Sequence, residues 1–298
     1  MVIVMRSYLN SLLEECAYPE GAKIELLYAY DRIVASSADA LSVLLAEYDV
    51  SYNIDYEAAL ARMNEISDRS GVHEYTGALL LYLCYSRRLR EYYYEAGIGD
   101  SVFLDTVLDL RYKLDECSLV KGVVGTFVAK WFSGFFKLER FALGRLQFEI
   151  IPFGAQYETQ GIALTHDTPV INVHSPRSGA RLDRDSVLES YRLAYEFYKP
   201  ELGKTIAFVC SSWLLFPRNK ELLKPGSNLL EFIGDFDIFA SGEYDGYGEV
   251  WRLFDKDYDG NPNHMPADSS LRRAYIDLMK RGERTGWGRG VFIFSPEK

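Results

Sequence analysis

The sequence has few of the residues that bind metals or form covalent cross-links. Its 298 residues include only four cysteines and four histidines. No two cysteines form a CxxC pair, which argues against both a zinc site and a disulfide framework. We therefore predict that the protein binds no metal and keeps its thiols free, as in a reducing cytoplasm.

Long apolar runs and an excess of positive charge are also lacking. No stretch approaches the roughly 18 uncharged apolar residues of a membrane span, and residues 1–5 lack the basic region of a signal peptide. The net charge of −10, from 33 basic and 43 acidic residues, repels phosphate backbones. We expect a cytoplasmic protein with neither a membrane nor a nucleic acid as partner.

Hydrophobic periodicity divides the chain into two halves. Residues 1–142 carry apolar positions at helical spacing, and nothing there alternates convincingly as a strand. Residues 143–298 mix strand and helix patterns, which predicts a mixed sheet. The fold class is therefore predicted as α+β with two domains, an all-helical domain over 1–142 and an α/β domain over 143–298.

The predicted helices of the first half have recognisable ends. Asp55 is a good N-cap, Gly71 lies just past the end of the same helix, and Ser36-Ser37 predicts a break in the preceding one. The predicted helical segments are 8–16, 22–45, 56–70, 75–95 and 102–114.

The second half predicts strands separated by helices. The run 205–210 is continuously apolar, so we expect a central strand that is covered on both faces. Asp183 and Asp268 are the expected caps of two helices, and a short helix is expected over 217–223. The other predicted strands are 145–150, 170–174, one or two within 229–240, 250–254 and 290–294.

The loop between the strand 170–174 and the next helix is the best candidate for an anion site. A glycine, two arginines, two serines and the free amides of a helix start can cradle a phosphate. An ordinary loop with solvated arginines explains the same pattern. The candidate residues are Ser175, Arg177, Ser178, Gly179, Ala180 and Arg181.

Two strand ends supply further candidates. His174 could act as a general base because its ordinary pKa is near neutrality, or it could be a structural histidine. Cys210, Ser211, Ser212 and Trp213 end the apolar strand, where open α/β sheets place ligands. A small buried thiol is the preferred interpretation of Cys210 over a nucleophile, and the other three residues are expected to line a pocket.

Two segments resemble binding motifs only in part. Asp255, Asp257 and Asp259 imitate the start of a calcium loop, but Pro266 stands where the bidentate glutamate belongs, so an exposed acidic turn is expected. The glycine-rich run 284–290 either admits a ligand backbone closely or turns the chain into its last strand.

Four parts of the second half together carry a family resemblance, namely 144–149, 172–176 with Gly179, 210–215 and 227–232. They resemble a bacterial acyltransferase-domain family. That family joins a helical N-terminal domain to a C-terminal domain similar to the Gcn5-related N-acetyltransferases (GNAT).

The resemblance implies a site in which two parallel strands diverge and an acyl-CoA lies in the gap. The strands would be 170–174 and 205–210, and the pyrophosphate of acetyl-CoA or another acyl-CoA would meet the loop that contains Arg177 and Gly179. His174 or Glu243 would be the base, and a small-molecule or peptide amine or hydroxyl would be the acceptor.

Two departures from the family pattern support an alternative function. The usual fingerprint at this turn is compressed to Arg177, Gly179 and Ala180, and the helix after Cys210 contains no tyrosine to protonate the leaving thiolate. The alternative is a catalytically silent GNAT-like module that binds a peptide or another protein. Calcium-linked carbohydrate binding is a third hypothesis and depends on the Asp255 turn.

Overall fold

The computed structural model describes residues 2–294, with side chains from residue 4 onwards. The chain folds into two compact units, Met1–Ala142 and Leu143–Lys298. No helix of the described part of the chain is both long enough and apolar enough to cross a membrane.

The first unit is helical, as predicted. Helix α2 packs against α3, α3 against α4 and α4 against α5, while α1 contacts α2 and α4. A 3-10 turn over Ala129–Phe132 precedes the last short helix. The helices are α1 (Val2–Glu15), α2 (Glu20–Val50), α3 (Tyr56–Ser70), α4 (Glu74–Glu95), α5 (Asp100–Lys121) and α6 (Ser133–Phe136).

The predicted helix ends of this unit are confirmed. The Asp55 carboxylate accepts hydrogen bonds from the amides of Glu57 and Ala58, both at 3.0 Å, and so caps α3. Gly71 ends α3 in the left-handed conformation at φ +61°. The predicted break in α2 falls at Ser37, whose backbone leaves the helical region at φ −147° and ψ 27°.

The core of the helical unit is rich in tyrosine and phenylalanine. Tyr48 and Tyr85 stack with ring centroids 4.4 Å apart, and Tyr82 lies 4.8 Å from Phe136. These four side chains are almost completely buried. The Tyr48 hydroxyl donates a hydrogen bond to the Phe136 carbonyl at 2.9 Å, which satisfies its polar tip inside the core.

The second unit is built on a six-stranded sheet of order β1-β2-β5-β6-β8-β7. Strands β5 and β6 are parallel, whereas β2–β5, β6–β8 and β7–β8 are antiparallel. Strands β3 and β4 form a separate hairpin. The strands are β1 (Arg140–Leu143), β2 (Leu146–Pro152), β3 (Tyr157–Thr159), β4 (Ile162–Leu164), β5 (Pro169–His174), β6 (Ile206–Ser212), β7 (Asp237–Glu243) and β8 (Gly286–Phe294).

Helix α7 follows β5 and returns the chain to β6. The Asp183 carboxylate accepts a hydrogen bond from the Ser186 amide at 3.0 Å, so Asp183 is the predicted N-cap. Residues 206–210 of β6 are all buried, which confirms the predicted central strand. The helices are α7 (Arg184–Leu202), α8 (Asn219–Leu222), α9 (Asn228–Gly234), α10 (Trp251–Phe254) and α11 (Ser270–Lys280).

Three sequence predictions in this unit are wrong in part. The first portion of 229–240 is helix α9, because the Ser227 hydroxyl caps it by accepting from the Leu230 amide at 3.3 Å, and only the second portion is a strand. The segment 250–254 is helical because Val250 and Phe254, four residues apart, are buried in the same cluster. Helix α11 is capped by Ser269 rather than Asp268.

Candidate functional site

The two parallel strands of the sheet separate after a short paired stretch. Strands β5 and β6 are in register only at Ile171 with Phe208 and at Asn172 with Val209. β5 continues beyond Asn172 against β2, and β6 continues beyond Val209 against β8. Among the described residues, β5 and β6 pair with each other no further than this, while each stays paired with its outer neighbour. A gap therefore opens between the carboxyl ends of β5 and β6.

Side chains leave the sheet alternately toward two faces. On one face, which we call the hairpin face, Val170, Val209 and Val291 pack with Phe153 and with the β3–β4 hairpin. On the opposite face, the helix face, helix α7 covers the sheet. There Tyr191 of α7 lies 5.6 Å from Phe208 and 5.0 Å from Phe292, measured between ring centroids.

His174 lies at the end of β5 on the hairpin face, beside a carboxylate. Its Nε2 is 2.7 Å from Oε1 of Glu149, which lies opposite Asn172 on β2. Nδ2 of Asn172 also donates to this oxygen, at 2.9 Å. The side chains of His174 and Glu149 are 22% and 14% exposed, so their hydrogen bond is largely shielded from water.

The contact with Glu149 favours the tautomer of His174 that carries its proton on Nε2, because a carboxylate accepts hydrogen bonds and cannot donate them. A neutral imidazole that donates its Nε2 proton to Glu149 carries its lone pair on Nδ1. The carboxylate then stabilises the positive charge that the ring acquires when Nδ1 is protonated. A histidine held in this way can serve as a general base.

The loop after β5 is held in place by one arginine. The Arg145 guanidinium donates to the carbonyl oxygens of Pro176, Ala180 and Arg181 at 3.0, 3.1 and 3.3 Å. Gly179 occupies the left-handed region at φ +77°, where other residues are strained. The loop therefore has a fixed path from the gap to the first turn of α7.

The remaining loop candidates differ in exposure and in their partners. The amides of Ser178 and Ala180 bond within the loop, to the Pro176 carbonyl at 3.0 Å and to the Ser178 hydroxyl at 3.3 Å. Ser175 is half-buried, whereas Gly179, Ala180 and Arg181 are exposed. The guanidinium of Arg181 is thus available to an anion on the solvent side of the loop.

Arg177 is paired with the segment that resembles a calcium loop. Its Nη2 lies 2.7 Å from Oδ2 of Asp255, and Nη2 of Arg272 lies 2.5 Å from the same oxygen. Asp255 is thus an ion-pair partner of two arginines. In the described residues no group of His, Cys, Asp and Glu side chains is arranged to hold a metal ion.

The residues at the end of β6 divide between the two faces. Cys210 lies on the helix face, 3% exposed, and burial raises the pKa of its thiol to about 12. Ser211 is exposed and shares the hairpin face with His174. Ser212 accepts a hydrogen bond from the Leu214 amide at 3.2 Å, and half-buried Trp213 packs edge-on against Tyr275.

The second candidate base lies apart from the first. Glu243 is exposed at the end of the edge strand β7, opposite Gly286 of β8. Gly286 lies three positions before Arg289, an odd offset, so the two point to opposite faces of β8. Because Arg289 is opposite Ser211 on the hairpin face, Glu243, opposite Gly286, lies on the helix face. The structure therefore brings His174, Ser211 and the loop 175–181 to the gap, and Glu243 does not join them.

Sequence reasoning missed two residues that support the site. Glu149 was part of a predicted strand, but its place beside His174 depends on the β2–β5 register, which no local pattern encodes. Arg145 was likewise assigned to the strand rather than to the loop that it holds. The alternation of polar residues at 147 and 149 was the only available signal.

Two features define the GNAT class of fold. One is a mixed sheet whose central parallel strands diverge, and the other is a helix that follows the first of these strands after a glycine-containing loop. Residues 141–292 match the GNAT-like C-terminal domain, and residues 7–138 match the N-acyltransferase N-terminal domain. The chain belongs to this family, which confirms the predicted combination of a helical N-terminal domain with a GNAT-like C-terminal domain. No curated protein sequence matches the chain.

Solved structures of acyltransferases share the fold over nearly the whole chain. One, in complex with decanoyl-CoA and teicoplanin, is 23% identical with a TM-score of 0.73 and covers 95% of this chain and 86% of its own. Another, in complex with decanoyl-CoA, is 19% identical with a TM-score of 0.64 and covers 95% and 98%.

Proposed function

We propose that the protein transfers an acyl group from acyl-CoA to an amine or hydroxyl of a small-molecule or peptide acceptor. The observation that carries the proposal is the gap between β5 and β6, which His174 flanks with its Glu149 partner. Membership of the N-acyltransferase family supports the same reaction. Similar structures contain decanoyl-CoA, so we include medium-chain acyl groups beside acetyl among the donors.

In the proposed reaction His174 activates the acceptor. Nδ1 takes a proton from the acceptor nitrogen or oxygen, which attacks the thioester carbonyl carbon. The carbon–sulfur bond then breaks, the CoA thiolate leaves, and the new amide or ester retains the acyl group. Glu149 stabilises the protonated imidazole, and strand amides at the gap, with Ser211, stabilise the carbonyl oxygen as it gains negative charge.

The loop 175–181 is proposed to bind the pyrophosphate of the donor. Arg181 supplies positive charge, Arg177 would exchange its ion pair with Asp255 for a phosphate oxygen, and helix α7 directs its positive N-terminal end to the same place. The amides of Ser178 and Ala180 would exchange their bonds within the loop for bonds to phosphate oxygens. The whole reaction is assigned to the domain 143–298, and the protein is proposed to act in the cytoplasm.

Titration calorimetry with acetyl-CoA, octanoyl-CoA and decanoyl-CoA tests donor binding, and thiol release on addition of amines tests transfer. We expect His174→Gln to bind the donor normally but to lower kcat/KM by about 100-fold or more. His166→Gln is the matched control, because that ring is 73% exposed. No donor binding at near-millimolar ligand would refute the proposal, and donor binding without transfer in the unmodified protein would favour the silent binding module.

A further inference from the structure

Arg289 lies on the same face of the sheet as the proposed base. It is opposite Ser211 in the β6–β8 register, and Ser211 shares the hairpin face with His174 across the gap. β8 is the second strand from β5, so the two backbones lie roughly 10 Å apart where β5 and β6 are paired, and farther apart at the gap. A substrate that spans the gap can therefore contact both side chains.

The Arg289 guanidinium has no carboxylate partner among the residues that the structure describes, although the chain carries ten more acidic than basic residues. Its Nη2 donates to the Phe153 carbonyl, and burial lowers its pKa. The nearby carboxylate of Asp237, on β7, instead accepts hydrogen bonds from Tyr157 at 2.8 Å and Thr159 at 3.3 Å. An anionic group of a ligand would stabilise the charge of a half-buried cation of this kind.

Aromatic rings hold this guanidinium in one position. Its central carbon lies 5.4 Å from the centroid of Phe153 and 5.5 Å from that of Phe239. Phe239 in turn stacks on Tyr157 of the hairpin at 4.9 Å. Rings on this side limit access by water, and a fixed guanidinium fork matches the two oxygens of a carboxylate.

The phosphates of acyl-CoA are not the expected partner of Arg289. They are assigned to the loop after β5, where two other arginines and a helix N-terminus lie. One guanidinium between aromatic rings suits a single negative charge better than a phosphate dianion, which normally gathers several donors.

We propose that Arg289 binds a carboxylate of the substrate and thereby selects acidic substrates for the acyl transfer. This inference rests on the proposed function. The carboxylate belongs either to the acceptor, as in an amino acid or the end of a peptide, or to the far end of a dicarboxylic acyl group. Both sources present the same chemistry to Arg289.

Two matched pairs of substrates distinguish the sources. Phenylalanine and phenylalaninamide are compared as acceptors, and glutaryl-CoA and valeryl-CoA as donors, by the rate of thiol release. We expect the carboxylate member of one pair to be preferred by at least about tenfold in kcat/KM. Arg289→Gln should reduce that preference to within about twofold, mainly by slowing the carboxylate member of the pair.

Two further variants complete the test. Arg284→Gln, an exposed arginine just before β8, should keep the full preference. Arg289→Lys keeps the positive charge but loses the forked guanidinium, so it should keep part of the preference for the carboxylate substrate. This variant provides a result if Arg289→Gln does not fold. Equal rates within both pairs, or a preference that both Arg289 variants retain, would overturn the proposal.

Failure of the acyl-transfer reaction itself can be recognised separately. If no acyl-CoA releases thiol with any acceptor, the carboxylate site is tested by equilibrium binding of N-acetylphenylalanine and its amide without CoA. Binding of the acid alone, lost in Arg289→Gln, supports the site. Equal binding of the two compounds, or binding of neither, contradicts it.

Discussion

At the scale of single residues, one oxygen of Glu149 organises the proposed base. It lies within hydrogen-bonding distance of both His174 Nε2 and Asn172 Nδ2. The imidazole is therefore oriented by a negative charge, and protonation of its other nitrogen converts this contact into an ion pair. The energetic benefit of the carboxylate is greatest when His174 is charged, which is after it has accepted the acceptor's proton.

Replacing the carboxylate by its amide should slow transfer without affecting donor binding. We expect Glu149→Gln to lower kcat by about tenfold or more, because the amide no longer stabilises the protonated ring, and to change the Kd for acyl-CoA by less than about twofold. Steady-state rates and titration calorimetry on the same preparation measure the two effects. Glu189→Gln, exposed on α7, is the control, and an unchanged kcat in Glu149→Gln would remove Glu149 from the mechanism.

Cys210 should be chemically inert. With its thiol pKa raised to about 12 by burial, the thiolate fraction at pH 8 is on the order of one in ten thousand. We expect no measurable iodoacetamide labelling of Cys210 in the folded protein, as followed by peptide mass spectrometry, and full labelling in urea. Cys210→Ala should retain transfer activity, and rapid labelling together with loss of activity would instead indicate a nucleophile.

Predictions for single residues depended on whether the chemistry is local in sequence. His174 and the loop 175–181 could be proposed from the sequence because a polar group directly follows a strand pattern. Glu149 and Arg289 reach the site through strand pairing, and their register is fixed by the packed faces of the whole sheet. Asp255 shows another limit of local patterns, because it was expected in an exposed acidic turn but is half-buried and forms an ion pair with Arg177.

At the scale of elements, glycines in β8 allow neighbouring segments to pack closely. A Cβ on Gly288 would lie 2.0 Å from the Leu215 carbonyl oxygen, and one on Gly286 would lie 2.2 Å from the Gly242 carbonyl oxygen. The glycine-rich run 284–290 therefore accommodates the chain's own backbone, including the 3-10 turn Trp213–Leu215 that follows β6. Of its two interpretations, the structure supports a role in the last strand.

Substitution in this strand should destabilise the fold. Gly288→Ala forces either β8 or the 3-10 turn to move, because the conflicting atoms belong to the backbone, and we expect a loss of about 1–3 kcal/mol in the free energy of unfolding. Thermal melting followed by tryptophan fluorescence measures the change. Gly248→Ala, with no atom within 4 Å of the added Cβ, should stay close to the unmodified protein. Equal melting of both variants would contradict the close contact.

Short elements were the least predictable part of the second unit. Segments 228–234 and 250–254 contain apolar runs that suit a buried strand as well as a helix. The first segment is helical because Ser227 caps it. The second is helical because Val250 and Phe254 lie on one face and are buried in the cluster around α11, a tertiary contact that the local sequence does not show. The long amphipathic helices of the first unit did not have this ambiguity, since their periodicity extends over several turns.

At the scale of the whole molecule, donor binding should protect one part of the chain much more than the rest. The proposed contacts lie in the second unit, at the gap between β5 and β6 and at the start of α7. A ligand that binds only the folded state lowers the population of open states by mass action, by about 2.7 kcal/mol at a free concentration of 100 times Kd. Amide hydrogen exchange detects this effect segment by segment.

We expect saturating octanoyl-CoA to slow exchange most in peptides covering 170–190 and 206–215, with smaller changes in the helices α1 to α4. Desulfo-CoA with the same nucleotide should protect the loop and the start of α7 but less of the strand ends, because it lacks the acyl thioester. In Arg177→Met the protection of the loop should weaken, whereas Arg192→Met on the exposed side of α7 should behave like the unmodified protein. Protection centred on the helical unit would place the donor outside the β5–β6 gap and would contradict both the proposed site and the role of His174.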